Sequence, residues 1–418
     1  MMDHSIEMSP AEQAHAIDVA RQVARVFDKV GARHDRDNTF PYELAPIFRE
    51  SGLVALNVPK RFGGWGADIW TTVRCVEELA KGDPACALGY NMHLGVIGFF
   101  RGMWSEEHQR RYFPGIARDG HIFDGVYSET RAGISGLADT IAVPMRGGGY
   151  EVTGRKGWGT LSLVADFHSF TATVTDPDGS LPSDLSIRAE REMMFVCPKD
   201  APGLRIEKTW DTMGMRATGT ETVVFEKVFV PEADLVSRTF RSSIYQTVEW
   251  QTLTFAAVYL GLARKAYDET RSALIDKSTG PVVGPSTGPT VGPVAVRCRD
   301  IPYVQAGFGQ MQVWIETMSA VLERACKELL NGIDPTQDRF RRTVLVETPK
   351  VVATENAIQV VDMCMRVMGG GSYRRGNIIE RLYRDARSGP FHPLRTDQLF
   401  DLLGKADLGV LGPQSTSR

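Results

Sequence analysis

The chain has 418 residues and a net charge of −3, from 48 lysine and arginine side chains against 51 aspartate and glutamate. This balance argues against a nucleic-acid-binding protein, which usually carries a basic excess, and the 43% of hydrophobic residues is typical of a globular protein. No apolar run approaches the roughly 20 residues of a membrane span, and residues 1–20 lack the apolar segment of a signal peptide, so we expect a cytoplasmic protein of two or three domains.

The cysteines indicate neither disulfides nor a metal site. No two of them form a C-x-x-C pair, and none lies near a histidine at the spacing of zinc ligands. We therefore expect reduced thiols that act as small buried hydrophobes. The six are Cys75, Cys86, Cys197, Cys298, Cys326 and Cys364.

The first third of the chain predicts helices. Apolar residues recur at three- and four-residue spacing from Ile17 to Val30, and the pattern continues from Leu44 to Glu50. A further amphipathic helix is predicted from Trp70 to Ala80, and an almost wholly apolar, buried one from Ala85 to Phe100. These segments predict an N-terminal α-helical domain at residues 1–120.

The middle third changes to short β-branched or aromatic runs separated by glycine and proline. This composition predicts a β-domain at residues 121–235. The predicted strands are Thr140–Pro144, Tyr150–Thr153, Phe167–Val174, Met193–Val196 and Val223–Val230.

The last third returns to helical periodicity and predicts a C-terminal four-helix bundle at residues 236–418. Between its first two helices, a Gly-Pro pair recurs every four residues from Gly280 to Pro293, which favours neither helix nor strand. We predict a mobile loop at residues 277–295, with a lid or a subunit-contact arm as the alternative. The predicted helices are Glu249–Leu274, Tyr303–Leu330, Pro349–Met368 and Leu399–Leu411.

An ordered set of motifs resembles the acyl-CoA dehydrogenase superfamily of flavoproteins over roughly residues 15 to 410. Each motif is weak alone, but their order and distances are specific. The motifs are RFGGWG from Arg61, YSETRAG from Tyr127, GRKGWGT from Gly154, MGMRATGT from Met213, VFVP from Val228, GGGSY from Gly369, and the pair Arg384-Asp385. The resemblance implies the same α+β fold, with a helical domain, a β-domain and a helical bundle.

The resemblance also implies a bound flavin, usually FAD, between the β-domain and the C-terminal helices. Trp158 would lie against the ring, Thr160 would place a hydroxyl near N5, and glycines would let the backbone approach a pyrophosphate from a neighbouring subunit. The implied cofactor contacts are Tyr127, Ser128, Gly133, Ser135, Trp158, Gly159, Thr160, Gly369, Gly370 and Gly371. The family's usual assembly further implies a homotetramer.

Dehydrogenation of an acyl thioester needs a carboxylate that takes the α-proton. At the two positions where we place that carboxylate by resemblance, this sequence has Gly376 and Gln251, and neither side chain can act as a base. Glu249 is a candidate substitute, although two residues along a helix correspond to a rotation of about 200°. We take oxidation of an acyl thioester, on CoA or a carrier protein, as the first hypothesis.

Two alternatives remain open. One is a flavin-dependent monooxygenase that uses reduced FMN or FAD and O₂, in which His392 or His93 would donate a proton near the ring. The other is a catalytically silent partner subunit. The partners expected are a small-molecule substrate and either a flavin reductase or an electron-transfer flavoprotein.

Overall fold

In a computed structural model, the chain is described over residues 7–129, 137–238, 240, 248–279, 296–332 and 339–410. Helices form the first part, a single sheet forms the middle, and helices return in the last part. The α+β fold class predicted from the sequence is therefore confirmed. The predicted loop at residues 277–295 lies outside the described residues from 280 onward.

Five helices make up the N-terminal part. Residues before the helices cap four of them: Ser9 forms a capping box with Glu12, while Asp68, Asp83 and Ser105 accept hydrogen bonds from the first turns that follow them. The helices are α1 (Pro10–Asp37), α2 (Leu44–Glu50), α3 (Ile69–Gly82), α4 (Pro84–Met103) and α5 (Glu106–Asp119). The sequence analysis missed α5, because its charged residues outnumber the few apolar side chains that it buries.

The middle part is a mixed sheet with the strand order β6-β7-β3-β2-β4-β5-β8, in which β1 pairs in parallel with β4. The strands are β1 (Phe123–Val126), β2 (Ile141–Pro144), β3 (Tyr150–Gly159), β4 (Phe167–Val174), β5 (Glu192–Pro198), β6 (Leu204–Glu207), β7 (Glu221–Val230) and β8 (Leu235–Ser237). A short helix, α6 (Leu185–Glu190), precedes β5. Strand β3 is longer than predicted and continues to Gly159, so the GRKGWG motif lies on a strand.

The C-terminal part contains α7 (Glu249–Leu274), α8 (Pro302–Leu330), α9 (Arg339–Met368), α10 (Ile378–Ala386) and α11 (Thr396–Asp407). The predicted start of α9 at Pro349 is wrong, because the helix begins ten residues earlier and Pro349 lies inside it. Proline is typical of a first helical turn, which explains the error.

Close packing between α4 and α7 joins the two helical parts. A Cβ on Gly98 would lie 2.2 Å from the Trp250 ring, and one on Gly95 would lie 3.6 Å from the Gln251 Cα. The lack of a side chain at Gly98 therefore lets the two helices approach closely, whereas Gly95 has room for ordinary van der Waals contact with α7. One hydrophobic core runs through the N-terminal and C-terminal helices, and a second fills the sheet.

The six cysteines are buried and unpaired, as predicted. Within the described ranges, no helix has the length and apolar character needed to cross a membrane. The same ranges contain no cluster of three or more histidine, cysteine or acidic side chains that could hold a metal ion.

Candidate functional site

Trp158 lies near the end of β3, where the register with β7 shifts and the strand leads into a turn with unusual backbone geometry. Its φ is +60°, and Leu161 three residues later has φ +73°. Left-handed conformations are uncommon for such bulky residues and tend to occur at functional sites. The indole is 57% exposed and meets the Trp210 ring nearly edge-on, with centroids 5.4 Å apart. The turn therefore presents a flat aromatic face to whatever lies against it.

Tyr127 and Ser128 follow directly after β1 and are half-buried. The next residue, Glu129, forms a buried ion pair with Lys156 of β3 at 2.7 Å. Glu129 also accepts hydrogen bonds from the amides of Asp139 and Thr140, at 2.6 and 3.0 Å. This ion pair ties the segment after β1 to the strand that carries Trp158, so it holds the two predicted flavin-contacting segments together.

Thr160 belongs to a row of threonine hydroxyls beside Trp158. The Thr160 hydroxyl lies 2.9 Å from that of Thr220, which lies 2.6 Å from that of Thr218. Thr218 donates to the Met215 carbonyl at 2.9 Å. Gly159 is buried between them, and a Cβ there would lie 2.8 Å from the Val126 side chain and 2.9 Å from the Glu221 carbonyl oxygen. Glycine at this position therefore permits close packing within the sheet.

Arg384 and Asp385 of α10 connect the loop that precedes Thr218 to helices α10 and α1. The Met215 amide donates to the Asp385 carboxylate at 2.6 Å. Arg384 donates to the Met213 carbonyl at 2.9 Å and pairs with Asp35 of α1 at 2.6 Å. The loop that carries the threonine row is therefore held by both helical parts.

His392 lies seven residues beyond Asp385 in the chain, and its ring packs against one side of α7. Its ring stacks on Phe255 with centroids 4.3 Å apart, and its Nε2 lies 2.8 Å from the Tyr259 hydroxyl. Burial and the nearby Lys350 cation lower the pKa of His392 to about 3. The imidazole is therefore uncharged at neutral pH.

Lys350 of α9 holds the main chain on both sides of the adjacent proline. Its buried Nζ donates to the His392 carbonyl at 3.1 Å and also to the Leu394 carbonyl. Glu347, one turn earlier on α9, lies 3.9 Å from this ammonium group. Sequence reasoning missed Lys350 and Tyr259, since each meets His392 only through a long-range contact.

Gln251 lies on a strip of α7 between α4 and His392. Gln251 and Phe255 are four residues apart and so share a helix face. Gly95 of α4 packs beside Gln251, and His392 stacks on Phe255. This strip of α7 therefore carries the amide of Gln251 and the aromatic ring of Phe255. The uncharged imidazole of His392 lies against that ring.

Glu249 points away from this strip, which corrects its assignment as a substitute base. It is fully buried and pairs with Arg342 of α9 at 2.5 Å. Burial raises the pKa of the Glu249 carboxyl. The 200° rotation from Gln251 has placed this carboxylate in the interface between α7 and α9.

His93 is a core histidine and not a proton donor for a ligand. The Phe123 amide donates to its Nδ1 at 3.0 Å, so its Nε2 carries the proton and donates to the Val54 carbonyl at 2.7 Å. The side chain is fully buried, and burial lowers its pKa to about 4. Both ring nitrogens are thereby used within the fold.

The remaining predicted positions are Gly376, glycines 369 to 371, Gly133 and Ser135. Gly376 is exposed two residues before α10, with open space where a Cβ would point. Glycines 369 to 371 form an exposed turn after α9, and a Cβ on any of them would meet open space. Gly133 and Ser135 lie outside the described residues.

Comparison with known families places three consecutive domain models on the chain. The N-terminal domain of acyl-CoA dehydrogenase matches residues 9–120, the middle domain matches 127–228 and the C-terminal domain matches 253–395. Together these matches span most of the sequence.

The individual relatives differ in the activities that their names give. The putative acyl-CoA dehydrogenase YdbM of Bacillus subtilis is 29% identical, covering 91% of this chain and 93% of its own. The L-evernosamine nitrososynthase of a Micromonospora species is 27% identical, covering 96% and 92%. The structure of TdsC from Paenibacillus sp. A11-2 with FMN and indole aligns with a TM-score of 0.83 at 25% identity, covering 96% and 98%.

Proposed function

The chain belongs to the acyl-CoA dehydrogenase family, whose members include flavin monooxygenases, and we propose that this protein is a flavin-dependent monooxygenase that uses reduced flavin and O₂. This is the second of the hypotheses drawn from the sequence. We prefer it to oxidation of an acyl thioester because the strip of α7 that faces His392 carries an amide and an aromatic ring and no carboxylate among its named residues.

The observation that carries this proposal is the position of the carboxylate at Glu249. Removal of an α-proton needs a carboxylate beside the reacting carbon. The position that resemblance assigns to it on α7 is Gln251, and Glu249 is paired with Arg342 on another face of the helix. Oxygenation does not need a carboxylate base. The side chains of Gln251, Phe255 and His392 are therefore more compatible with oxygenation than with removal of an α-proton.

The residues around Trp158 fit a flavin. The exposed indole offers a flat surface to an isoalloxazine ring, and the half-buried Thr160 hydroxyl lies two residues away on the same turn. Tyr127 and Ser128 are held beside this turn by the Glu129–Lys156 pair. A reduced flavin supplies the activation of O₂ when bound.

His392 would face the substrate from the opposite side. Its ring is fixed between Phe255 and Tyr259, and its uncharged state at neutral pH avoids placing a cation beside an apolar or weakly polar substrate. The protein's own contribution is then to orient the substrate and to limit water around the reacting atoms.

We further propose FMN as the flavin and a separate reductase as its source of electrons. From the sequence we expect FAD, with FMN as a further possibility for a monooxygenase. The solved structure of TdsC contains FMN, which supports FMN for this chain.

Anaerobic mixing of the oxidised, flavin-loaded protein with a panel of acyl-CoA thioesters tests the proposal. We expect the flavin absorbance to persist with every thioester. Bleaching by any of them, at a rate that saturates with its concentration, would contradict the proposal and restore the dehydrogenase hypothesis. A known acyl-CoA dehydrogenase mixed with its own substrate serves as the positive control.

A further inference from the structure

A chain of hydrogen bonds with one possible direction ends at His392. The Ser388 hydroxyl donates to the Asp385 main-chain carbonyl at 2.7 Å, because a carbonyl can only accept. Ser388 has a single proton, so its oxygen accepts at 2.6 Å from the Tyr259 hydroxyl. Tyr259 has then used its own proton, so its oxygen must accept at 2.8 Å from Nε2–H of His392.

This direction fixes the tautomer of His392. The ring is uncharged at neutral pH and holds one proton, which the chain of hydrogen bonds places on Nε2. Nδ1 therefore carries a lone pair. No hydrogen bond from any described residue reaches Nδ1, so it is the ring atom left for a ligand.

Neighbouring residues restrain the plane of the ring and the main chain that carries it. Phe255 stacks on it with an interplanar angle of 15°, and Lys350 holds the carbonyls of His392 and Leu394. Tyr259 is itself fully buried on α7, so its hydroxyl stays near Ser388.

We propose that Tyr259 and Ser388 are positioning residues that hold His392 as its Nε2–H tautomer, so that Nδ1 accepts a hydrogen bond from an O–H or N–H group of the substrate. This inference builds on the proposed function for the identity of the reaction. It changes the expected role of His392 from proton donor to hydrogen-bond acceptor. It also names a substrate class, namely organic molecules with a hydroxyl, amine or ring N–H donor.

The tautomer can be measured without flavin or substrate. In protein labelled with ¹⁵N at its eight histidines, long-range ¹H–¹⁵N spectra separate a protonated from an unprotonated ring nitrogen. The variant His392→Gln identifies the signals by their loss. For the unmodified protein, we expect a protonated Nε2 and an unprotonated Nδ1 at His392.

Two variants test the role of the positioning residues. Tyr259→Phe removes the acceptor of Nε2–H, and Ser388→Ala frees the Tyr259 proton to point at Nε2. In both we expect the Nδ1 and Nε2 shifts of His392 to move toward each other as the second tautomer appears. Tyr267→Phe, two turns further along α7, is the matched control and should leave both shifts unchanged.

Two results would overturn the inference. One is a protonated Nδ1 in the unmodified protein, and the other is an unchanged tautomer in both Tyr259→Phe and Ser388→Ala. Neither result depends on turnover, so the inference can fail while the proposed monooxygenase activity stands. Conversely, the expected tautomer together with flavin bleaching by an acyl thioester would contradict only the proposed function.

A second readout concerns ligand selectivity. In the flavin-loaded protein, Tyr259→Phe should lower kcat/KM for a substrate with a donor group several-fold more than for its O- or N-methylated analogue, while the Kd for flavin stays constant. An equal loss for both substrates would contradict the acceptor role of Nδ1.

Discussion

At the scale of single residues, the site includes a side chain whose backbone conformation and exposure are both unusual for its residue type. Trp158 is a bulky residue at φ +60° with most of its indole exposed, and a large exposed aromatic in strained backbone points to a ligand surface. Glu249, in contrast, is a candidate base by its position in the sequence, but its side chain is buried and paired with Arg342, so its role is structural. The exposure of the side chain and the presence of a bonded partner therefore distinguish the ligand-facing Trp158 from the structural Glu249.

Replacing Trp158 with alanine should weaken flavin binding by about tenfold, which corresponds to about 1.4 kcal/mol, because the ring would lose its stacking surface. Quenching of flavin fluorescence on titration measures the Kd. The control is Phe229→Ala, an equally exposed aromatic on β7 beside the other end of β3. Equal affinity of Trp158→Ala and the unmodified protein would remove Trp158 from the site.

Replacing Glu249 with glutamine should destabilise the fold by about 3–5 kcal/mol, because it removes one partner of a buried ion pair. The specific activity of the folded protein should stay unchanged. Urea denaturation measures the free energy of unfolding, and steady-state assays below the transition measure turnover. Loss of turnover without loss of stability would instead support Glu249 as a base.

At the scale of secondary-structure elements, two contacts set the geometry of the site. One is the close approach of α4 and α7 at Gly98, and the other is the set of hydrogen bonds between α10 and the loop that precedes Thr218. The first places Gln251 beside α4, and the second holds the loop that leads to Thr218 and Thr220, whose hydroxyls connect to that of Thr160. Both can be tested through stability.

Gly98→Ala should lower the free energy of unfolding by about 1–3 kcal/mol, since the new Cβ would lie within the Trp250 ring. The matched control is Gly309→Ala on α8, where a Cβ meets open space. That change should raise stability by about 0.4–1 kcal/mol, because alanine has less conformational freedom in the unfolded chain. Similar effects of both changes would contradict the close packing of α4 and α7.

Asp385 should make stability depend on pH. Burial raises the pKa of this carboxyl to about 7 from an ordinary value of 3.8. Between these values the native state holds a proton that the unfolded chain has released, so the free energy of unfolding falls as pH rises. Asp385→Asn retains the acceptor oxygen for the Met215 amide but cannot titrate.

The stability of Asp385→Asn relative to the unmodified protein should therefore increase from pH 4.5 to pH 7.5, by about 3 kcal/mol. Urea denaturation at several pH values measures this difference, and subtraction removes the contributions of the other carboxyls. A difference that is constant over this range would contradict the raised pKa.

At the scale of the whole molecule, the order of helices, sheet and helices could be predicted from hydrophobic periodicity alone. The strand Phe167–Val174 and the helix Glu249–Leu274 have the predicted bounds, because each is marked by a clear pattern and a clear end. Strand β1 was missed because four residues that include an aspartate and a glycine carry too little pattern.

The site was less predictable than the fold. Motifs led to Trp158 and His392, but the partners of His392 lie 42 and 133 residues away in the chain, at Lys350 and Tyr259. Such contacts depend on how helices pack, which no local pattern encodes. The same limit explains why Glu249 and His93 looked catalytic, since only the folded chain reveals Arg342, Val54 and Phe123 beside them.

The homotetramer expected by resemblance remains a prediction about the assembled protein. Sedimentation velocity at several protein concentrations measures the mass directly. We expect a single species of four chains, and a concentration-independent monomer would contradict it.

The most direct test of the central claim is rapid mixing of the reduced, FMN-loaded protein with O₂, followed across the flavin spectrum. The proposed function predicts a transient whose absorbance differs from both reduced and oxidised flavin and which decays to oxidised flavin in a second step. One-step oxidation at the rate of free reduced FMN would contradict the proposal. Failure of the protein to retain any flavin would also contradict it and would favour a catalytically silent subunit.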